Sequence, residues 1–364
     1  MKSYYSLGLM SGTSMDGVDA SIIQSDGENE YKLIIDKYFE YPQDIYRNLT
    51  KLRDKIKSSK DLKKFLKEIK NIEKEITIFH GKVVNQILKK TKVNVDFIGF
   101  HGQTIYHKAE EKISRQLGDG KLLSKLTKKK VVYNFRQNDL DNGGRGAPLT
   151  PIYHKLLKEK FKLKLPLVIL NIGGIANVTI IDFDNHMFSY DIGPGNCLID
   201  QWIRSRSKNK YDKDGKIAKS GKVKTTILNQ ALENFYNTNQ QKSYDIKDFD
   251  LSFVRGLSVK DGAATLTEYT SEILFEQLKI SHDGPEENII LSGGGRKNEF
   301  LVKKIENKIN IPLKLIDDFG IDGDFIESQA FAYLAIRSYH NLPISFPETT
   351  GVSKPCLGGV LIKI

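Results

Sequence analysis

Short apolar runs, each closed by a polar or glycine-bearing segment, set the pattern of this chain. The first two runs, residues 5–10 and 18–23, flank the polar stretch from Ser11 to Gly17. They predict two strands joined by a turn. The spacing then changes. Leu62, Phe65, Leu66, Ile69, Ile72, Ile76, Phe79 and Val83 recur three and four apart, which predicts one helix with a buried face. Further apolar runs lie at 93–100, 131–133, 167–170, 188–190, 289–291 and 313–316. The segments that end them are His101-Gly102-Gln103-Thr104, Asn134-Phe135-Arg136, Asn171-Ile172-Gly173-Gly174, Asp191-Ile192-Gly193-Pro194-Gly195-Asn196, Ser292-Gly293-Gly294-Gly295 and Asp317-Asp318. Helical patterns separate several of the strands, so the class is α/β. Ligands in such sheets sit outside the carboxyl ends of the strands. Six polar strand ends therefore predict one large cleft. The unit of strand, glycine turn and strand occurs twice, at 7–23 and 167–181, with Gly12 and Gly173 lying 161 positions apart. That repeat predicts a diverged duplication, one hairpin per lobe.

Length and composition fit this picture. A chain of 364 residues predicts two domains of about 150–200 residues each. The net charge is +11, carried mostly by lysine. From Lys51 to Lys74 the lysines alternate with acidic residues, and no stretch interleaves arginine with stacking aromatics. The charge thus reads as a solvated surface and not as a nucleic-acid footprint. Part of the excess suits an anionic nucleotide. The only cysteines, Cys197 and Cys356, allow neither a disulfide framework nor a zinc site. No apolar run approaches the length of a membrane span, and the N-terminus has no adequate apolar signal core. A cytoplasmic protein with no membrane or nucleic-acid partner is expected. The seven histidines are scattered and form no metal-site pattern.

Phosphate binding needs short donors and close backbone approach, which glycines and successive N–H groups provide. The first turn offers Gly12 and Gly17 with the hydroxyls of Ser11, Thr13 and Ser14. The candidate contact segment is Gly12, Thr13, Ser14, Met15, Asp16, Gly17, Val18 and Asp19. Asp16 and Asp19 can orient donors or hold a water of a magnesium ion, and no direct metal ligand is expected. Gly173, Gly174 and Asn177 form the second candidate phosphate hairpin. Neither hairpin has a Walker A lysine, and the protein-kinase glycine loop is absent. Gly293, Gly294 and Gly295 are the candidate adenosine site, or else a tight strand–helix turn. Asp191 is the candidate base for phosphoryl transfer, or else it caps a helix beginning near Asn196. His101, Gln103 and Arg136 are candidate sugar-binding groups, although a lone histidine is more often structural. Gly12-Thr13-Ser14-Met15 is also similar to the nucleophile segment of subtilisin-like proteases. Those enzymes have the order Asp, His, Ser, and here Ser14 precedes every histidine.

Taken together and in order, the motifs resemble the anhydro-N-acetylmuramic acid kinase family along nearly the whole chain. The matching segments are GLMSGTSMDGVDA from Gly8, HGQTIYH from His101, QLGDGKLL from Gln116 and NFRQNDLDNGGRGAPLTPIYH from Asn134. LNIGGIANVT from Leu170, DIGPGNCLIDQWI from Asp191, YDKDGKIAKSG from Tyr211 and SGGGRKNEFL from Ser292 continue them. ESQAFAYLAIR from Glu327 and TTGVSKPCLG from Thr349 close the set. The resemblance implies a two-lobed actin/hexokinase-like fold, with a ribonuclease H-like core in each lobe and an interlobe cleft. The first lobe would hold residues 1–140 and about 346–364, the second 141–345. It also implies ATP and magnesium, a small amino-sugar substrate, and a possible homodimer. The reaction implied is phosphorylation of 1,6-anhydro-N-acetylmuramic acid with hydrolytic opening of the anhydro ring. In that family a carboxylate activates the water, and Asp191 stands at its place. Gly12 to Asp19 stands at the ATP-phosphate contact. The chain departs from the family pattern at Arg145, where glutamine is usual, and at Asn134, where aspartate is usual. It also lacks a Thr-Gly-Arg-Glu continuation around Lys242 and Ser243. The alternatives are a kinase or ATPase of the same fold acting on another sugar or acid, and a nucleotide-binding regulator without turnover.

Overall fold

The computed structural model describes residues 1–238, 243–281 and 288–363. Lys242, one of the departures from the family pattern, lies outside the described residues. The strands are β1 (Tyr4–Ser11), β2 (Gly17–Ser25), β3 (Tyr31–Glu40), β4 (Phe97–Lys108), β5 (Ile113–Leu117), β6 (Lys130–Tyr133), β7 (Leu167–Ile172), β8 (Ile175–Ile181), β9 (Met187–Pro194), β10 (Ile289–Ser292), β11 (Lys314–Leu315) and β12 (Val360–Ile362).

The chain divides into two compact units, Met1–Leu163 with Phe325–Ile364, and Lys164–Asp324. The first unit carries a seven-stranded sheet in the order β12-β6-β4-β1-β2-β3, with β5 paired to β4. Strands β1, β2 and β3 form an antiparallel meander, and β4 and β6 run parallel to β1. The second unit carries a five-stranded sheet in the order β11-β10-β7-β8-β9. Here β7, β8 and β9 form the meander, and β10 and β11 run parallel to β7. Each sheet therefore has the meander-plus-two-parallel arrangement of a ribonuclease H-like core. The same arrangement occurs twice in one chain, as the two-lobed α/β expectation requires.

The periodic segment 62–83 is not one helix. A short helix Ser59–Lys64 ends at Phe65 (φ −102°, ψ 21°), and the long helix Leu66–Leu88 starts there. Ile69, Ile72, Ile76, Val83 and Val84 of that helix pack in one core with Leu7, Leu9, Val18, Ile22, Ile98 and Phe100 of the sheet. Leu66, placed by periodicity on the buried face, is 49% exposed because it opens the second helix.

The helix Ile326–Tyr339 lies against the other face of the first sheet. Two strand glycines make that close approach possible. A Cβ on Gly8 would stand 1.8 Å from the Ser328 carbonyl oxygen, and one on Gly99 would stand 2.1 Å from that of Phe331. The Ser21 and Ser328 hydroxyls also share a buried hydrogen bond of 2.6 Å. Residues 325–345, and 141–163 before them, thus belong to the first compact unit, whereas the expected lobe limits put them in the second. Gly8→Ala should cost about 3 kcal/mol, the upper part of the usual overpacking range, since backbone must move to admit the methyl group. Urea denaturation read by circular dichroism measures this, and an unchanged midpoint would mean that the helix can withdraw freely.

Two strands run further than their apolar residues indicate. β4 continues through His101-Gly102-Gln103-Thr104, which reads in sequence as a turn. Gly102 has φ 76°, and the pairing with β1 slips between Leu9 and Met10, so the strand absorbs an irregularity and goes on to pair with β5. Likewise β9 continues past Asp191 to Pro194, again with a register shift, between Ala176 and Asn177 of β8.

Candidate active site

Strands β1, β4 and β6 are parallel, so their carboxyl ends lie together in the first unit. The end of β1 carries the first hairpin loop. Met15 has φ 58° and is 2% exposed, so its side chain anchors the loop in the core. Its N–H donates to the Gly12 carbonyl at 3.1 Å, and the Asp16 carbonyl accepts from the Tyr41 N–H at 2.8 Å. Val18 is likewise a core residue. Met15 and Val18 can therefore offer a ligand only their backbone. Thr13 and Ser14 are exposed, and Asp16 and Asp19 partly so.

The two glycines of this loop have different reasons to be glycine. At Gly17 a Cβ would stand 2.5 Å from the Phe39 carbonyl oxygen and 2.6 Å from the Tyr38 ring. Packing alone demands that glycine. At Gly12 the nearest atom to a Cβ is Ser14 Oγ at 3.9 Å. Among the described residues, no other atom beyond its chain neighbours lies within 4 Å. Ser14 Oγ itself donates to Asp16 Oδ1 at 2.6 Å. No imidazole among the described residues bonds to it, so Ser14 lacks the base of a protease nucleophile.

Beside this loop stands a basic and imidazole cluster. Arg136 donates to His101 Nε2 from Nε at 3.2 Å and from Nη2 at 2.9 Å, and its Nη1 donates to the Gly146 carbonyl at 2.8 Å. Arginine cannot accept, so His101 Nε2 is the acceptor and Nδ1 carries the hydrogen that bonds the Gly102 carbonyl at 2.8 Å. Burial and the adjacent Arg136 charge hold the His101 pKa well below its usual value. His101 is thus neutral. The sequence reading missed Glu327, whose carboxyl is pushed up by burial, an effect that Arg136 counters. An acidic residue opening the helix that returns to the first unit was the available signal. Gln103, the third residue expected at the sugar, lies under the first hairpin. It is 0% exposed, and both ends of its amide are bonded to the hairpin, to Ser11 and to Gly12.

In the second unit the parallel strands β7, β9 and β10 also end together. A lateral row runs Ser292, Asn171, Asn177, Asp191 across β10, β7, β8 and β9. This row joins the Gly173-Gly174 turn, the Gly293 run and the candidate base. The segment after Asp191 folds back on the turn: the Gly195 N–H donates to the Gly174 carbonyl at 3.0 Å, and the Asn196 N–H to the Gly173 carbonyl at 2.8 Å. A Cβ on Gly195 would stand 2.3 Å from the Gly173 carbonyl oxygen. Asp191 Oδ2 accepts from the Tyr244 N–H at 2.9 Å and from Ser243 Oγ at 3.2 Å. The helix Cys197–Arg206 has Asn196 at its N-cap. The capping alternative for Asp191 is therefore excluded by position.

The three glycines after β10 also differ. Gly293 has φ 76°, and a Cβ there would meet Asn171 Oδ1 at 2.3 Å; one on Gly295 would meet the Ile172 side chain at 2.2 Å. Around a Cβ on Gly294 no atom of the described residues, its chain neighbours aside, lies within 4 Å. Only the middle glycine leaves open space. The following helix, Glu299–Ile309, starts at Asn298, whose Oδ1 caps the Leu301 N–H at 3.1 Å, and not at the glycines. Arg296 is buried and bonds Asp317 at 2.6 and 2.8 Å and Asp324 at 2.6 Å. It thereby ties the polar end of β11 to the glycine run.

No helix among the described residues is long and apolar enough to cross a membrane. Among solved structures, the chain is similar to the activator of the 2-hydroxyisocaproyl-CoA dehydratase from Clostridium difficile with bound ADPNP, at TM-score 0.42 and 11% identity over 93% of this chain and 96% of that one. In sequence, it is 40% identical over 365 residues to an anhydro-N-acetylmuramic acid kinase of Zymomonas mobilis, covering 97% of this chain and 98% of that protein. A protein of the same name from Pelagibacter ubique is 56% identical over 371 residues, covering 100% of this chain and 99% of that protein. The family described as anhydro-N-acetylmuramic acid kinase matches residues 4–363. With that match from end to end, the chain belongs to the anhydro-N-acetylmuramic acid kinase family.

Proposed function

We propose that this protein uses ATP to phosphorylate 1,6-anhydro-N-acetylmuramic acid, opening the anhydro ring with water to give N-acetylmuramic acid 6-phosphate and ADP. The observation that carries the nucleotide half of this reading is the open space at Gly12 and Gly294. Most glycines at these strand ends are required by packing, and these two are not. Such a position suits a phosphate or a flat base against bare backbone. The sugar half rests on family membership.

In this reading the segment Gly12 to Asp19 contacts the phosphates through its N–H groups and the hydroxyls of Thr13 and Ser14. Gly173, Gly174 and Asn177 contribute a second set of phosphate contacts, and Gly294 receives the adenosine. Asp16 and Asp19 offer carboxylate oxygens of the type that holds magnesium through water. Magnesium, when bound, neutralises phosphate charge. Arg136 and neutral His101 bind the sugar's polar groups, with Glu327 close to Arg136. Asp191 takes a proton from the water that attacks the anomeric carbon. The bond from that carbon to oxygen 6 breaks, and oxygen 6 accepts the γ-phosphoryl group. Both cysteines are free and buried, which suits the reducing cytoplasm we assign. A homodimer is the assembly the family resemblance suggests.

A coupled ADP-release assay tests the reading across anhydro-N-acetylmuramic acid, N-acetylglucosamine and water alone. Release is expected with the anhydro sugar only. Reaction in ¹⁸O-water should label the anomeric oxygen of the product. Equal ADP release with N-acetylglucosamine would reassign the substrate, and an unlabelled product would exclude hydrolytic opening.

A further inference from the structure

Beneath the first hairpin lies a buried polar network that the phosphate and sugar contacts leave unexplained. It consists of Ser11 at the end of β1, Gln103 in β4 and Tyr41 just after β3. Their exposures are 1%, 0% and 3%. Gln103 Nε2 donates to the Gly12 carbonyl at 2.9 Å. Ser11 Oγ lies 2.7 Å from Gln103 Oε1 and 2.8 Å from the Gly17 carbonyl, so its one hydrogen is shared between two acceptors. The Tyr41 hydroxyl donates to Ser11 Oγ at 3.1 Å. The Tyr41 N–H holds the Asp16 carbonyl. The loop from Gly12 to Gly17 is thus gripped at both ends from below, while Thr13 and Ser14 face outward.

The chemistry of the amide explains why glutamine stands at position 103. The site needs a donor toward the Gly12 carbonyl and an acceptor toward the Ser11 hydroxyl, from one side chain, in a dry place. Glutamine supplies both without charge. Glutamate would lack the donor and bury a charge, and an apolar residue would leave the Gly12 carbonyl with the Met15 N–H alone and the Ser11 hydroxyl with the Gly17 carbonyl as its one acceptor. Turning that carbonyl down into the protein also decides which way the adjoining N–H groups of the loop point. A phosphate nest works only with its N–H groups converging.

We propose that Gln103 is a positioning residue for the nucleotide side of the reaction. With Ser11 and Tyr41 it fixes the Gly12–Gly17 backbone in the shape that receives the phosphates, and it makes no contact with the sugar. This rests on the reading of the hairpin as the phosphate site.

The test uses the full chain and compares Gln103→Met, Tyr41→Phe and Gly12→Ala. ATP affinity is measured without sugar by calorimetry, and KM is measured for each substrate. Gln103→Met should weaken ATP binding about tenfold, the loss of roughly one phosphate hydrogen bond. The KM for the anhydro sugar should stay within about twofold, well under one hydrogen bond's worth. Tyr41→Phe, which removes one oxygen, should shift ATP in the same direction by about threefold. It carries the test alone if Gln103→Met does not fold. A raised sugar KM with unchanged ATP affinity would overturn the proposal in favour of direct sugar contact. Folded variants with both constants unchanged would overturn it in favour of a purely structural network. If Gly12→Ala weakens ATP binding and the other two do not, the positioning role alone fails. If Gly12→Ala has no effect either, the hairpin reading fails with it.

Discussion

Asp191→Asn is expected to leave a folded protein that binds ATP normally and turns over about 10²–10⁴-fold more slowly, the usual contribution of a positioned general base. The local structure has little reason to change. Asp191 Oδ2 accepts from the Tyr244 N–H and from Ser243 Oγ, and the carbonyl oxygen of asparagine can accept both. On the role proposed for Asp191, what disappears is the proton acceptor. Without it the attacking water must lose its proton to solvent, and the departing oxygen 6 gains nothing from the nucleophile's activation. The loss should therefore fall on kcat and kcat/KM together, the signature of an interaction realised only in the transition state. ADP release at saturating substrates measures kcat, and calorimetric titration measures ATP affinity. A kcat within a few-fold of the parent would remove Asp191 from the base role.

Asp191 also shows how far local sequence reaches. Its residue type and the glycines after it were readable, because a carboxylate followed by Gly-Pro-Gly-Asn is unusual within an apolar context. Its partners were not. Tyr244 lies 53 positions away, and nothing near either residue announces the pairing. The strands themselves were legible, since apolar runs such as 167–170 must be buried whatever surrounds them. Strand ends were less so. The polar segment 101–104 looks like a turn in sequence, yet it continues β4, because its polar groups find partners in Ser11 and Gly12 and Gly102 tolerates φ 76°. A buried glutamine satisfied by residues 91 and 92 positions away is indistinguishable locally from an exposed one at a binding site. The same limit hid Glu327 and the grouping of residues 325–345 with the first compact unit. The clue to that placement was compositional. Ser328, Ala332 and Ala335 are small residues on the helix face that meets Gly8 and Gly99.

The distinction between glycines leads to the second large effect. Gly12→Val should fold with nearly parental stability and lose ATP affinity by at least about tenfold. No positive φ is required at position 12, and among the described residues the nearest atom to a Cβ there, its chain neighbours aside, is Ser14 Oγ at 3.9 Å. The protein itself thus offers no steric objection to the first atom of a side chain. A phosphate in that space would. Each displaced hydrogen bond to a charged group is worth about 1.5–3 kcal/mol, and every 1.4 kcal/mol is about tenfold in affinity. Gly17→Ala is the matched comparison, five positions along the same loop. Its methyl group would stand 2.5 Å from a backbone oxygen, so it should lower the urea midpoint before any question of nucleotide arises. The two variants therefore separate a glycine kept for a ligand from one kept for packing. If Gly12→Val binds ATP as the parent does, the space above Gly12 holds no phosphate, and the nucleotide assignment of the whole hairpin falls. If instead Gly12→Val loses stability as Gly17→Ala does, its openness has been misjudged, and Gly12→Ala becomes the cleaner probe of the same space.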